Sequence, residues 1–241
     1  MNSIRLEQYN IFKDSLGSIY VSGPKTIINT INAHSYIVAK SDALFKNALV
    51  ESDILLPDGE GIVLMAKMLK KQKINKIAGA DIHDYLLDEA NKKSLKCFYL
   101  GASNQTLQLI NEKQSKAYKN ISFHFLSPPF KPIFSEEDSR SMINAINTVT
   151  PDILFVGMTA PKQEKWVHEH KNEINANIIC SIGAVFDFIA ETKKRAPQWI
   201  INCKLEWLYR SFTAWRLTKR YMYSTPLFLL ELYKLKYFDT K

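Results

Sequence analysis

Cysteine is scarce in this chain: Cys97, Cys180 and Cys203 are the only three in 241 residues. They are far apart, odd in number and form no CxxC pair. That argues against a disulfide framework or a structural zinc site and fits a reducing compartment. No apolar run reaches the roughly 18 residues that a membrane-crossing helix needs. Residues 1–10 lack the basic-then-apolar order of a secretory signal peptide. Neither GxGxxG nor a Walker A sequence occurs, so the dinucleotide and P-loop readings lack their fingerprints. The five histidines (His34, His83, His124, His168, His170) show no HExxH spacing, and there is no GxSxG nucleophile elbow. The nearest approach to a DxD motif, Asp81-Ile82-His83-Asp84, does not fit, so neither a metal nor a cofactor is expected. Internal repeats and low-complexity segments are absent as well.

What is present is unevenly placed. Residues 1–192 carry 21 Lys/Arg and 21 Asp/Glu, whereas residues 193–241 carry 11 and 3, so the whole formal charge of +8 lies in the last 49 residues. Three of the four tryptophans, Trp199, Trp207 and Trp215, lie there too. The expected organisation is a neutral body, 1–192, and a basic, aromatic appendage, 193–241, that meets a polyanion or an anionic membrane.

Hydrophobic periodicity divides the body into strands and helices. Weak strands are expected around Ile19-Tyr20-Val21, and one helical stretch over 39–50. A buried strand over 53–56 runs into Pro57-Asp58-Gly59, followed by helices from Gly61 and after Gly79-Ala80-Asp81. Strands over 96–100, 121–125, 152–156 and 178–182 alternate with helices; the one after Pro132 is capped by Ser135 with Asp138 three residues on. Three of these strands end at Gly101, Gly157 or Gly183. Apolar strands alternating with helices imply an α/β fold, a parallel sheet with helices on both faces, and loops gathered at one ligand-binding edge. In the appendage, 204–223 reads as an amphipathic helix with Leu205, Leu208, Phe212 and Trp215 on one side; a second apolar-aromatic stretch begins at Pro226.

Polar groups fall at the strand ends: Thr30 and Asn32, Asp58, Gln163 and Glu164, and Asp187. Together they suit a sugar or nucleotide, which needs many hydrogen bonds and few oriented charges. Each also has a plainer reading. Thr30 and Asn32 suit a helix cap, Pro-Asp-Gly a turn, Gln163 and Glu164 a first helical turn, and Asp187 a buried carboxylate. The aromatic, basic appendage suits an interfacial helix on anionic lipid. Its apolar face equally suits packing on the body or on a second subunit, so a homo-oligomer stays open. A nucleic-acid binder would use the same tail but leaves the strand-end set unexplained, and no nucleic-acid partner is expected. A soluble sugar-nucleotide-modifying enzyme such as an epimerase commonly uses a nicotinamide cofactor, whose glycine fingerprint is missing.

Taken together, Thr30-x-Asn32, Leu56-Pro57-Asp58-Gly59, Gly79-x-Asp81, Gly157-Met158-x-x-Pro161-Lys162-Gln163-Glu164-x-Trp166, Gly183-Ala184-x-Phe186-Asp187-Phe188, Arg195-Ala196-Pro197 and Leu205-Glu206-Trp207-Leu208-Tyr209-Arg210 resemble the WecG/TagA/CpsF bacterial glycosyltransferases over about 20–223. The resemblance implies a Rossmann-like body with a C-terminal appendage. It implies inverting, metal-independent transfer from a UDP-sugar donor, N-acetylmannosamine or its uronic acid, to a polyprenyl-diphosphate-linked sugar at the cytoplasmic membrane face. Asp58 would be the general base. Thr30, Asn32, Asp81, Gly101, Gln163, Glu164 and Asp187 would contact the substrate. Arg210, Arg216 and Arg220 would come from the appendage to meet the diphosphates. The sequence departs from the family pattern at Thr159 and at Glu191, where glycines are common.

Overall fold

The computed structural model describes residues 2–192, 197, 200 and 215–238, the side chains of 215–221 excepted. The strands are β1 (Ser3–Leu6), β2 (Tyr9–Phe12), β3 (Thr26–Ile31), β4 (Ile54–Pro57), β5 (Lys96–Gly101), β6 (Ser122–Leu126), β7 (Ile153–Gly157) and β8 (Ile178–Ser181). The helices are α1 (Ala33–Ala39), α2 (Ala43–Val50), α3 (Glu60–Lys70), α4 (Gly79–Lys93), α5 (Asn104–Ala117), α6 (Glu136–Val149), α7 (Lys162–His170), α8 (Val185–Ile189) and α9 (Trp215–Tyr237).

All eight strands form one sheet in the order β1-β2-β4-β3-β8-β7-β5-β6. Only the β1–β2 pair is antiparallel. β4, β7 and β8 are buried along their whole length, as continuous apolar strands in a doubly covered parallel sheet must be. One face carries Ile28, Leu56, Tyr99, Phe155 and Cys180 under α4, α5 and α8. The other carries Ile31 and Leu55 under α1, α2, α3 and α9, and Leu100, Val156 and Ile179 under α6 and α7. The α/β class and the two-faced cover match the expectation from sequence.

Three local expectations change. The expected strand at Ile19–Val21 is absent; both residues are buried without pairing, and the N-terminal strands are the β1–β2 hairpin instead. Its two-residue turn, Glu7-Gln8, holds Glu7 at φ 53, a conformation usually given to glycine or asparagine. The helix expected over 39–50 is present as α2 but starts only at Ala43, capped by Asp42, whose carboxylate accepts from Phe45 N–H at 3.0 Å; Ala39 instead ends a separate helix, α1. At the C-terminus, α9 continues through Pro226. A proline inside a helix costs about 3 kcal/mol. Burying Phe228 and Leu232 against the body offsets this, at about 1.5–3 kcal/mol each. Residues 204–214 of the expected amphipathic helix lie outside the described residues.

Cys97 and Cys180 are buried free thiols; Cys203 lies outside the described residues. Among the described residues, no helix is long and apolar enough to cross a membrane.

Candidate active site

Strands β2 to β8 run parallel, so α1, α3, α5, α6, α7 and α8 all open at the carboxyl edge of the sheet. The chain leaves β3 for α1 on one face and β8 for α8 on the other. β3 and β8 are neighbours, so a crevice opens between their carboxyl ends, where open α/β sheets take ligands. Helix N-termini present unpaired N–H groups and positive dipole ends, which suit phosphate oxygens.

Asp58 stands at this edge, immediately after β4. Its backbone N–H donates to Ile31 O at 2.8 Å, which ties the turn to the end of β3. Gly59 has φ 120 and its Cβ position would lie 3.7 Å from Asn32 Cβ, so the β4 turn and the β3 turn touch. Asn32 caps α1: its Oδ1 accepts from Ser35 N–H at 3.0 Å and from Ser35 Oγ–H at 3.2 Å. That fixes the side chain and leaves its NH₂ without an acceptor among the described residues. Thr30, half-buried, pairs in register with Leu56. The plain capping reading of Asn32 is therefore true, and it also orients the amide beside Asp58.

Gln163 and Glu164 open α7 and are 3% and 2% exposed. Gln163 Oε1 accepts from Met158 N–H at 3.1 Å, and its Nε2 donates to Glu164 Oε1 at 2.8 Å. A Cβ on Gly183, which has φ +52, would lie 3.5 Å from the same amide. Gln163 thus braces the turns after β7 and β8. Lys162, beside it, has its ammonium pushed down by burial, and its Nζ lies 3.4 Å from the Phe134 ring centroid. Asp81 accepts from Ala78 N–H at 2.8 Å at the start of α4, a helix whose first residue lies against Ile182 and Val185. Asp187 is half-buried in α8. Phe186 beside it is buried over Gly157, where a Cβ would meet the ring at 2.5 Å.

Gly101 ends β5 with φ +139, and a Cβ there would fall 2.4 Å from Gly157 O. Its place at the edge is set by close strand packing. Arg210 lies outside the described residues; Arg216 and Arg220 fall in the described backbone of α9 only. Glu191, one of the departures from the family pattern expected from the sequence, has φ 56, which is the backbone a glycine would serve.

Sequence reasoning missed one contact. A Cβ at Gly61, three residues past Asp58, would lie 3.3 Å from the Phe228 ring of α9. The only signal was a small residue in the first turn of a helix.

These features define the class: an open α/β protein with a carboxylate at the turn after β4, a helix-capping asparagine beside that turn and several helix N-termini at one crevice. Residues 6–241 match the glycosyl transferase WecG/TagA/CpsF family, and the chain belongs to that family of glycosyltransferases. It is 31% identical over 209 residues to the N-acetylglucosaminyldiphosphoundecaprenol N-acetyl-beta-D-mannosaminyltransferase of Bacillus subtilis, covering 86% of this chain and 79% of that one. The enzyme of the same name from Staphylococcus aureus is 28% identical, over 87% of this chain and 80% of its own.

Proposed function

We propose that this chain transfers an N-acetylhexosamine-type sugar, N-acetylmannosamine or its uronic acid, from a UDP donor to a polyprenyl-diphosphate-linked sugar with inversion. The observation that carries it is Asp58, its backbone held by Ile31 O in a turn whose Gly59 lies against the α1-capping Asn32 at the carboxyl edge, in a chain whose relatives are named for that transfer.

Asp58 is the general base. It takes the proton of the acceptor hydroxyl as that oxygen attacks the anomeric carbon. The bond from that carbon to the UDP oxygen breaks on the opposite side, and the electron pair leaves with the diphosphate. A positioned base of this kind contributes about 10²–10⁴-fold. Charge building on the diphosphate is met by the helix N-termini at the edge and by Arg210, Arg216 and Arg220, whose forked donors match diphosphate oxygens. Thr30, Asn32 and Asp187 contact the donor; Asp81, Gly101, Gln163 and Glu164 hold the turns that shape its pocket. The reaction runs without a divalent cation, so turnover should survive chelation.

The enzyme works at the inner face of the membrane, held there through its C-terminal segment. The exposed Leu229, Leu230, Tyr233 and Tyr237 of α9 support this. The test is UDP release with a panel of UDP-sugars and a lipid-diphosphate-sugar acceptor. Asp58→Asn should lose at least about 100-fold in kcat; wild-type turnover in that variant would remove Asp58 from the mechanism.

A further inference from the structure

Zero net charge over residues 1–192 conceals a local excess. Residues 61–80 contain Lys67, Lys70, Lys71, Lys73 and Lys76 and no acid. Lys67, Lys70, Lys71 and Lys73 are exposed, and none has an ion-pair partner among the described residues. Lys67 and Lys70 lie on the last turns of α3, Lys71 ends it, and Lys73 follows in the loop. Leu64, exposed as well, is three residues before Lys67, so Leu64, Lys67 and Lys71 form one solvent-facing stripe.

Beside that stripe lies α9. Its inner side is occupied: Phe228 meets Gly61 and stands edge-on to Tyr36, with ring centroids 5.4 Å apart. Leu235 packs in the same cluster as Met68 and Leu69. Its outer side is apolar too, with Leu230 51%, Tyr233 53% and Tyr237 55% exposed, and Lys234 and Lys236 rise among them. The outer residues cannot turn inward, because Phe228 and Leu232 already fill that place. Glu231 on α9 is paired with Lys40 and does not offset the lysines.

We propose that α9 and the lysine-bearing end of α3 form one platform for an anionic bilayer: the outer apolar residues of α9 enter the interface, and Lys67, Lys70, Lys71 and Lys73 meet lipid phosphates. The inference rests on the membrane-linked acceptor proposed above and adds a component from the body to the C-terminal segment. Both charge and apolar surface point to lipid, since a basic apolar face fits anionic headgroups over acyl chains. α3 starts two residues after Asp58 and is 11 residues long. Its lysine end is thus within about 16 Å of the base along the helix axis.

The experiment uses the full chain and vesicles of phosphatidylcholine with or without phosphatidylglycerol. Replacing Lys67, Lys70, Lys71 and Lys73 together by glutamine should weaken binding to the anionic vesicles by nearly three orders of magnitude, at about five-fold per lysine. UDP release with a short-chain, water-soluble acceptor should not change. A second variant, Leu230→Ser with Tyr233→Ser, should lose binding to both vesicle types. Wild-type affinity for anionic vesicles in the glutamine variant overturns the proposal. So does a wild-type oligomer that the serine variant dissociates while vesicle binding stays intact, because α9 would then be a subunit interface. If no UDP-sugar is turned over but lysine-dependent vesicle binding remains, the transferase reading falls and the platform stands.

Discussion

His83 is a histidine that the fold keeps neutral. It is wholly buried, and desolvation holds its pKa below the ordinary value. Nε2 faces the Tyr99 hydroxyl at 2.8 Å and Nδ1 faces Asp84 Oδ1 at 3.2 Å. Tyr99, also buried, stays protonated because burial raises its pKa, so it donates to Nε2 and Nδ1–H donates to Asp84. The unfolded chain takes a proton on this histidine below about pH 6.5, whereas the folded chain does not. Stability should therefore fall as pH drops through and below about 6.5. His83→Gln should flatten that part of a denaturation-versus-pH profile, whatever it costs at neutral pH. Gly101 gives a sharper case, since its φ +139 and the 2.4 Å approach to Gly157 O leave no room for a side chain. Gly101→Ala should cost about 3 kcal/mol or more in urea unfolding. The sequence marked Gly101 as a strand end but gave no hint of Gly157 beside it, because register between β5 and β7 is set across a long crossover. Asp58 and Asn32 are similar. Each was legible as a polar residue at a strand end, but the contact between their turns depends on β3 and β4 pairing.

Glycine is thin in this chain, and several helices end without it. α3, α4 and α6 stop at Lys71, Ser94 and Thr150, with φ 53, 54 and 46. A β-branched residue is poorly suited to that backbone. Thr150→Gly should stabilise the protein by about 1 kcal/mol, seen as a rise of about 2–4 °C in Tm. Elements defined by local chemistry were legible. Ser135 caps α6 by accepting from Asp138 N–H at 3.1 Å, and the Asp138 carboxylate accepts from Ser135 N–H at 2.9 Å, as their spacing implied. The β1–β2 hairpin was not, since its turn lacks glycine and asparagine. Nor was α9, where Pro226 marked an end on local grounds and only packing on α1 and α3 carries the helix through. Phe228→Ala removes the ring that joins Tyr36 and Gly61. It should cost about 3–5 kcal/mol in thermal or denaturant unfolding.

At the scale of the molecule, the division at residue 192 follows charge but not packing. Phe228 and Leu232 share a core cluster with Ile31, Tyr36 and Met65. A chain ended at Thr192 should lose transfer, and it should also melt earlier than the full chain, because Tyr36 and Met65 lose cover. Scanning calorimetry of the two chains, with UDP release, checks both. Summing charge over long stretches placed the excess in the tail and hid the lysines of 61–80, since sums carry no positions. Vesicle binding by the intact protein should weaken steeply with salt at the lysines and little at the apolar ridge.

The ring of Phe228 sits against the first turn of the helix that follows Asp58. A methyl group at Gly61 would lie 3.0 Å from Ala33 Cβ and 3.3 Å from that ring, tight enough that α9 must ease outward by a few tenths of an ångström. Gly61→Ala should thus give a conditional allele: a chain that assembles and works in the cold and releases its last helix on warming, silencing the enzyme without a change to any group that meets the sugar.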